Sequence, residues 1–237
     1  MRFLITNDDG INAEGIKHLV EWAKTKGEVT VFAPKVEQSG KGQSIEIHKG
    51  YEFKKVDTFG SDVTAYSIDS TPADCIRVAI LGFGVKPDLI ISGINRGFNV
   101  GEDIKYSGTA GACFEGAHLG FKALAISTHV NSFEDAKANL DRVWDFVSNQ
   151  KAFEHTDIVN VNIPENPKEI LVTKVGEAIY GDKFDFDNDF IIPVLVCYYD
   201  GTADLEKDTD ATMNGYISIS PVTRELTETK AYELLKK

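Results

Sequence analysis

Short apolar runs alternate with amphipathic stretches through the first half of this chain, and few folds accommodate that rhythm. "RFLIT" reads as a buried strand, and "AEGIKHLVEWAKTK" puts Ile16, Leu19, Val20 and Ala23 at helical spacing. "EVTVFAP" is a second strand, stopped by Pro34. "STPADCIRVAILGFG" reads as a helix with Thr71 as N-cap, Pro72 at the first helical position and Asp74 completing a capping box. "DLIISGI" is a strand, "SGTAGACFEGAHLGF" a helix, "KALAIST" a strand and "FEDAKANLDRVWDFVSN" an amphipathic helix. Between them "SIEIHKGYEFKKV" and "VTAYSI" alternate like exposed antiparallel strands.

Such a βαβ succession predicts a Rossmann-like α/β fold, with a mostly parallel sheet and helices on both faces. From "VNVNIP" onward the rhythm changes to strands and turns, with "DGTADLEKDTDATMNG" a long polar loop and "GYISISPV" a late strand lacking an obvious local partner. The chain is therefore expected to form one domain over residues 1–237. Its segment from about 158 to 237 is expected to be a β-rich extension that forms arms.

With 237 residues, 42% hydrophobic and 26% charged, the chain can bury one sizeable core. A net charge of −12 argues against binding long nucleic acids, which calls for a basic surface. It leaves open a small phosphorylated substrate held by a divalent cation and backbone N–H groups. No apolar run reaches the roughly 20 residues that span a bilayer, and no signal-peptide pattern opens the chain. Cys75, Cys113 and Cys197 are few and far apart. A cytoplasmic protein with reduced thiols is expected.

Three polar clusters directly follow predicted strands. The first is Asn7, Asp8 and Asp9 after "RFLIT"; the second, "KVEQSGKGQS", offers Ser39 and Gly40. The third, "SGINRGFNVGEDIKYSGTAGA", offers Asn95, Asn99, Ser107 and Thr109. In a parallel sheet all three share the rim where ligands collect. Adjacent carboxylates repel and need a positive partner once buried, although Asp-Gly is also a common surface turn. Carboxylates, an amide oxygen and a hydroxyl are hard donors, suited to Mg²⁺, Mn²⁺ or Ca²⁺. "YSGTAGACFEG" runs from small residues into a helix, whose first-turn N–H groups, with Ser107 and Thr109 and the close approach allowed by Gly108, suit an anion. Other patterns carry less. "SGKGQS" lacks the helix a P-loop requires. Glu115 and His118 in "EGAH" have chelating spacing but no second pair. His129 could approach the rim, and a GxSxG elbow is absent.

Taken together and in order, "TNDDGI", "APKVEQSG", "STPADC", "PDLIISGINRGFNVGEDIKYSGTAGACFEG" and "GYISISP" resemble the SurE (survival protein E) family of metal-dependent 5′-nucleotidases along the whole chain. The resemblance implies metal ligands at Asp8, Asp9, Ser39 and Asn95, with Asp8, Asp9 and Asn95 central to catalysis. It implies phosphate contacts at Ser107, Gly108 and Thr109, with Asn99 nearby. It further implies one divalent ion per subunit, Mg²⁺ or Mn²⁺, and hydrolysis of nucleoside monophosphates, with 3′-nucleotides and polyphosphate as further candidates. C-terminal arms would be exchanged between subunits of a homodimer or homotetramer. Val36, Ser70 and Lys174 stand where the family often carries Arg, Gly and Arg. Two alternatives are a receiver-like phosphoacceptor and a non-catalytic nucleotide-binding module. A receiver would need a further Asp where Asn95 stands.

Overall fold

The apolar runs become strands whose alternate side chains enter two separate cores, as the two-residue repeat of a strand requires. The structure, a computed structural model, describes residues 1–201 and 203–236. Along the chain come β1 (Arg2–Thr6), α1 (Glu14–Lys24), β2 (Glu28–Pro34), β3 (Phe53–Val56) and β4 (Thr64–Ile68). Next is α2 (Pro72–Arg77), which runs into a π-helical turn, Val78–Gly82, before β5 (Leu89–Arg96). A 3₁₀ turn, Gly101–Lys105, precedes α3 (Gly108–His118), β6 (Ala123–Thr128), α4 (Glu134–Asn149) and α5 (Ala152–His155). The last third holds β7 (Ile158–Ile163), β8 (Ile170–Val172), β9 (Tyr180–Asp187), β10 (Phe190–Cys197), α6 (Asp208–Met213), β11 (Ile217–Val222) and α7 (Thr229–Leu235).

Nine strands form one sheet in the order β3-β4-β2-β1-β5-β6-β7-β11-β8, parallel except at β3–β4 and β7–β11. Phe3 and Ile5 of β1 point toward α1 and α4, while Leu4 joins Ile76, Cys113 and Ala117 of α2 and α3. Trp144 packs edge-on against Phe3 and Trp22, with centroids 6.0 and 5.9 Å apart, and so joins α4 to β1 and α1. The strands leave β1 in both directions, β2 on one side and β5 on the other. In sheets of this kind ligands bind at the carboxyl ends of the strands flanking the switch point, here β1 and β5.

Several expectations need correction. Ser44–His48 is not a strand; in that run only β3 is. Its backbone is satisfied by the start of α2 instead. The Thr71 hydroxyl donates to Ser44 O at 2.7 Å, and Glu46 N donates to Asp74 Oδ2 at 2.9 Å. β4 pairs antiparallel with β3 but parallel with β2. Thr71 does cap α2, accepting from Asp74 N. The Asp74 carboxylate is taken up by Ser70 Oγ at 2.6 Å and by Glu46 N. The expected polar loop contains α6, with Asp208, Thr209, Asp210 and Thr212 buried. Asp208 accepts from the N–H groups of Gly101, Gly176 and Thr209 at 2.8–3.1 Å, and those bonds are what a buried carboxylate requires.

The late strand "GYISISPV" is not an arm. It is β11, between β7 and β8 in the main sheet, with Ile217 and Ile219 in the core. The segment that stands apart is the β9–β10 hairpin, turned at Asn188 with φ +51°. Phe184, Phe186, Phe190, Ile191 and Leu195 are all exposed on it.

Replacing Asp182–Leu195 by a Gly-Asn-Gly turn should therefore leave a cooperatively unfolding protein with the far-UV dichroism of the full chain. Ending the chain at Tyr199 should not, because β11 would be lost from the sheet. Urea unfolding of both variants checks this, and a truncated chain as stable as the full one would contradict the placement of β11.

Candidate active site

β1 ends in "NDDG", and Gly10, at φ +99°, turns the chain so that both carboxylates sit at the rim. Asn7 Nδ2 closes the turn by donating to Gly10 O at 3.0 Å. Asp8 is buried and takes a short hydrogen bond from the Thr109 hydroxyl at the start of α3. Burial pushes the Asp8 carboxyl up from its ordinary value, opposed by Thr109 and by the N–H groups of Thr109 and Gly108. A Cβ at Gly108 would lie 2.8 Å from Asp8 Cβ, so only glycine lets the helix start so close to the carboxylate.

Asp9 is raised to about 6, chiefly by burial and then by the charge on Asp8. Its nearest donor is Arg96 N, at 3.4 Å. The Arg96 guanidinium is directed elsewhere, toward Glu14 at 3.5 Å and over the Phe133 ring at 5.0 Å. The carboxylate pair is thus short of positive charge.

Asn95 is the penultimate residue of β5, beyond a register shift that sets it opposite Ser127. Its Nδ2 donates to Gly97 O at 2.7 Å, which leaves the side-chain oxygen as its acceptor. On the β2 side, Gln38 N donates to Asp8 O at 2.7 Å and holds the following loop against β1. Ser39, next in that loop, is exposed and donates to Glu37 Oε1 at 2.6 Å. Ser107 caps α3, accepting from Ala110 N at 3.1 Å, so its proton remains to be donated.

The structure thus joins Asp8, Asp9, Gly108 and Thr109 directly, with Asn95 near the end of β5 and Ser39 on the loop after β2 beside them. Asn99 belongs to an adjoining buried network. Its Nδ2 donates to Ser127 Oγ at 2.8 Å, its N–H donates to Asn162 Oδ1, and its carbonyl accepts from Asn160 and Asn162. Asn160, Asn162, Ser127, Gln38 and Asp208 escaped the sequence reading. "VNVNI" does carry a signal, since a two-residue repeat sets both Asn on one face of a buried strand.

His129 stacks edge-on with Phe98 and meets Glu165 at 3.4 Å. Val36 is exposed, Ser70 is bonded to Asp74, and Lys174 pairs with Glu206 at 2.7 Å. A cavity of about 600 Å³ beside Phe114, His118 and Arg224 does not include the rim carboxylates. Among the described residues, no three His, Cys, Asp or Glu side chains cluster as metal ligands, so a cation here would also draw on the neutral oxygens of Ser39 and Asn95. No helix among them is long and apolar enough to cross a membrane.

With this geometry in hand, the chain compares closely with known proteins. The family profile described as "Survival protein SurE" matches residues 3–182. A protein of Thermoanaerobacter sp. (strain X514) named "5′-nucleotidase SurE" is 37% identical over 252 aligned positions, covering 99% of this chain and 97% of that protein. A protein of the same name from Clostridium botulinum (strain Alaska E43 / Type E3) is 36% identical, covering 100% and 99%. The crystal structure of the SurE protein from Aquifex aeolicus superposes with a TM-score of 0.84 at 34% identity, covering 100% of this chain and 98% of that one.

The Asp9 carboxyl gives a pH test. Its folded value of about 6 lies above the ordinary 3.8, so its contribution to stability is lost as pH rises between those values. Asp9→Asn removes the penalty. In a chelating buffer its gain in Tm over wild type should be larger at about pH 7.5 than at about pH 5. A thermal melt at each pH checks this; an equal gain at both would mean that Asp9 does not ionise across that interval.

Proposed function

The chain belongs to the SurE family, and on that premise we propose that it is a 5′-nucleotidase, a phosphomonoesterase of nucleoside monophosphates that depends on one divalent cation per subunit. One observation carries this reading: two adjacent carboxylates, short of positive charge, abut the first turn of a helix at the sheet's switch point.

The donor set fits Mg²⁺ or Mn²⁺. Asp8 and Asp9 supply negative oxygens, Asn95 a carbonyl oxygen whose amide group is already turned away, and Ser39 a hydroxyl. A cation held there supplies positive charge beside the phosphate and makes a neighbouring water more acidic. The rest falls to the chain. Asp8 and Asp9 set the position of that charge, and Thr109 fixes the Asp8 carboxylate in one orientation. Ser107, with its proton free, donates to a phosphate oxygen at the positive end of α3. Asn99, its side chain already bonded to Ser127, holds the loop between β5 and α3 that borders the phosphate.

The exposed β9–β10 hairpin suits a second copy of the chain. A contiguous set of exposed aromatic and aliphatic residues marks an association surface. We assign it to a homodimer or homotetramer. Replacing Phe186 and Ile191 together by Ser should lower the subunit number measured by light scattering, and an unchanged number would remove the hairpin from the interface. Buried, unpaired Cys75 and Cys113, with exposed Cys197 also free, support a reducing cytoplasmic setting.

Phosphate release from a panel of 5′- and 3′-nucleotides and polyphosphate, with Mg²⁺, Mn²⁺ or a chelator, tests the activity. Release is expected with metal and not with chelator. Asp8→Asn and Asp9→Asn should each lower it beyond the roughly 10–100-fold typical of residues that only support a metal site. Ser107→Ala should cost about 1.5–3 kcal/mol in kcat/KM while leaving Mn²⁺ affinity intact. Thr109→Val should weaken both, because its hydroxyl orients Asp8. Metal-dependent binding of nucleotide without release would point to a binding module.

A further inference from the structure

We infer that Glu115 and Gln43 form a clasp that positions the Ser39 loop against the rim. Glu115 is thereby a positioning residue of the site, although it stands well down α3. The inference rests on the reading of Ser39 as a ligand.

Glu115 is 4% exposed on a helix otherwise built largely of small residues. A buried carboxylate persists only when its oxygens are occupied, and here each has one partner. Arg77 Nη1 of α2 donates to Oε1 at 2.9 Å, and Gln43 Nε2 donates to Oε2 at 2.9 Å. The chelating spacing with His118 is not used, because His118 lies exposed while Glu115 turns inward. Through Arg77 the first oxygen joins α2 to α3. The second oxygen serves a loop residue instead.

That loop is the one carrying Ser39. It is fixed at one end by Gln38 N on Asp8 O, and further along by Gly42 N on Tyr106 O at 2.9 Å. Gly42 O lies so close to α3 that a Cβ at Gly111 would come within 2.1 Å of it. Among the described residues the Ser39 hydroxyl bonds only to nearby Glu37, so its position is inherited from these tethers. Gln43 is the side chain that reaches from the loop to α3. Thr109 and Glu115 are six residues apart on α3, about 9 Å along the axis. One rigid helix therefore holds Asp8 at its start and the Ser39 loop further along.

The test uses Mn²⁺ alone, titrated calorimetrically into the full chain without nucleotide. The variants are Gln43→Ala, Ser39→Ala and the double variant. Gln43 is exposed, so its replacement keeps the fold; Glu115→Gln serves as the second probe because it preserves side-chain shape. Gln43→Ala should weaken Mn²⁺ binding about tenfold, the low end for a supporting residue. Its Tm in chelator should stay close to wild type, because water takes the place of the exposed Gln43 amide at Oε2. Glu115→Gln should weaken binding in the same direction, while kcat at saturating Mn²⁺ stays within about twofold of wild type for both. In the Ser39→Ala background, Gln43→Ala should change affinity less than about twofold, because the effect runs through Ser39. If Ser39→Ala weakens binding but Gln43→Ala does not, or weakens it equally in both backgrounds, the clasp is refuted and the ligand reading stands. If Ser39→Ala leaves Mn²⁺ affinity unchanged, the ligand reading fails and the clasp with it.

Discussion

The structure turns on two neighbouring carboxylates, one buried and one half-buried, at the end of its first strand. Low-dielectric surroundings disfavour charge, and a second charge beside the first disfavours it further. The surrounding architecture answers this in layers. The start of α3 meets Asp8 with a hydroxyl and the positive end of the helix, and only a helix beginning with small residues can come that close. β5 brings Asn95 and the Arg96 N–H alongside, and the β2 loop is pinned to the Asp8 carbonyl. What these contacts leave uncompensated is the negative charge on which the proposed cation site rests.

A second polar system supports the first. Asn160 and Asn162 on β7, Ser127 on β6 and Ser218 on β11 lie buried beneath the loop that carries Asn99. Thr212 of α6 joins through Ser218 at 2.8 Å, and Asp208 of the same helix holds Gly101. Polar groups sealed from water act as specific fasteners because each must find a partner. The loop between β5 and α3 is thus held from below by side chains between 28 and 107 positions later in sequence.

This explains which parts of the molecule could be read beforehand. The parallel core was legible because period-two and period-3.6 patterns report burial locally: β1, α1, β2, β5, α3, β6 and α4 lie where their spacing puts them. Asp8, Asp9 and Asn95 drew attention because they follow apolar runs, and Ser107 because small residues lead from it into a helix. Helix α6 was not legible. Its Asp, Thr and Asp look solvated, and the N–H of Gly101 that buries Asp208 is 107 residues away. The Ser44–His48 segment alternates convincingly, yet its backbone partners belong to a helix cap no pattern announces. The β9–β10 hairpin was the reverse case: "KFDFDNDFIIPV" alternates around an Asn-Asp turn and carried a signal that went unread.

The position of β11 bears on the birth of the protein. The ribosome delivers β1, β2, β5 and α3 early, so the carboxylate pair and its helix can dock while synthesis continues. β8 emerges before the strand that joins it to the sheet, and Gly101 waits for Asp208. Until residues 208–222 are released, the nascent chain presents an open edge at β7 and a β5–α3 loop without its lower fastening. Open edges invite pairing with other chains, so the interval before the final strand arrives is when this protein most needs protection from its neighbours.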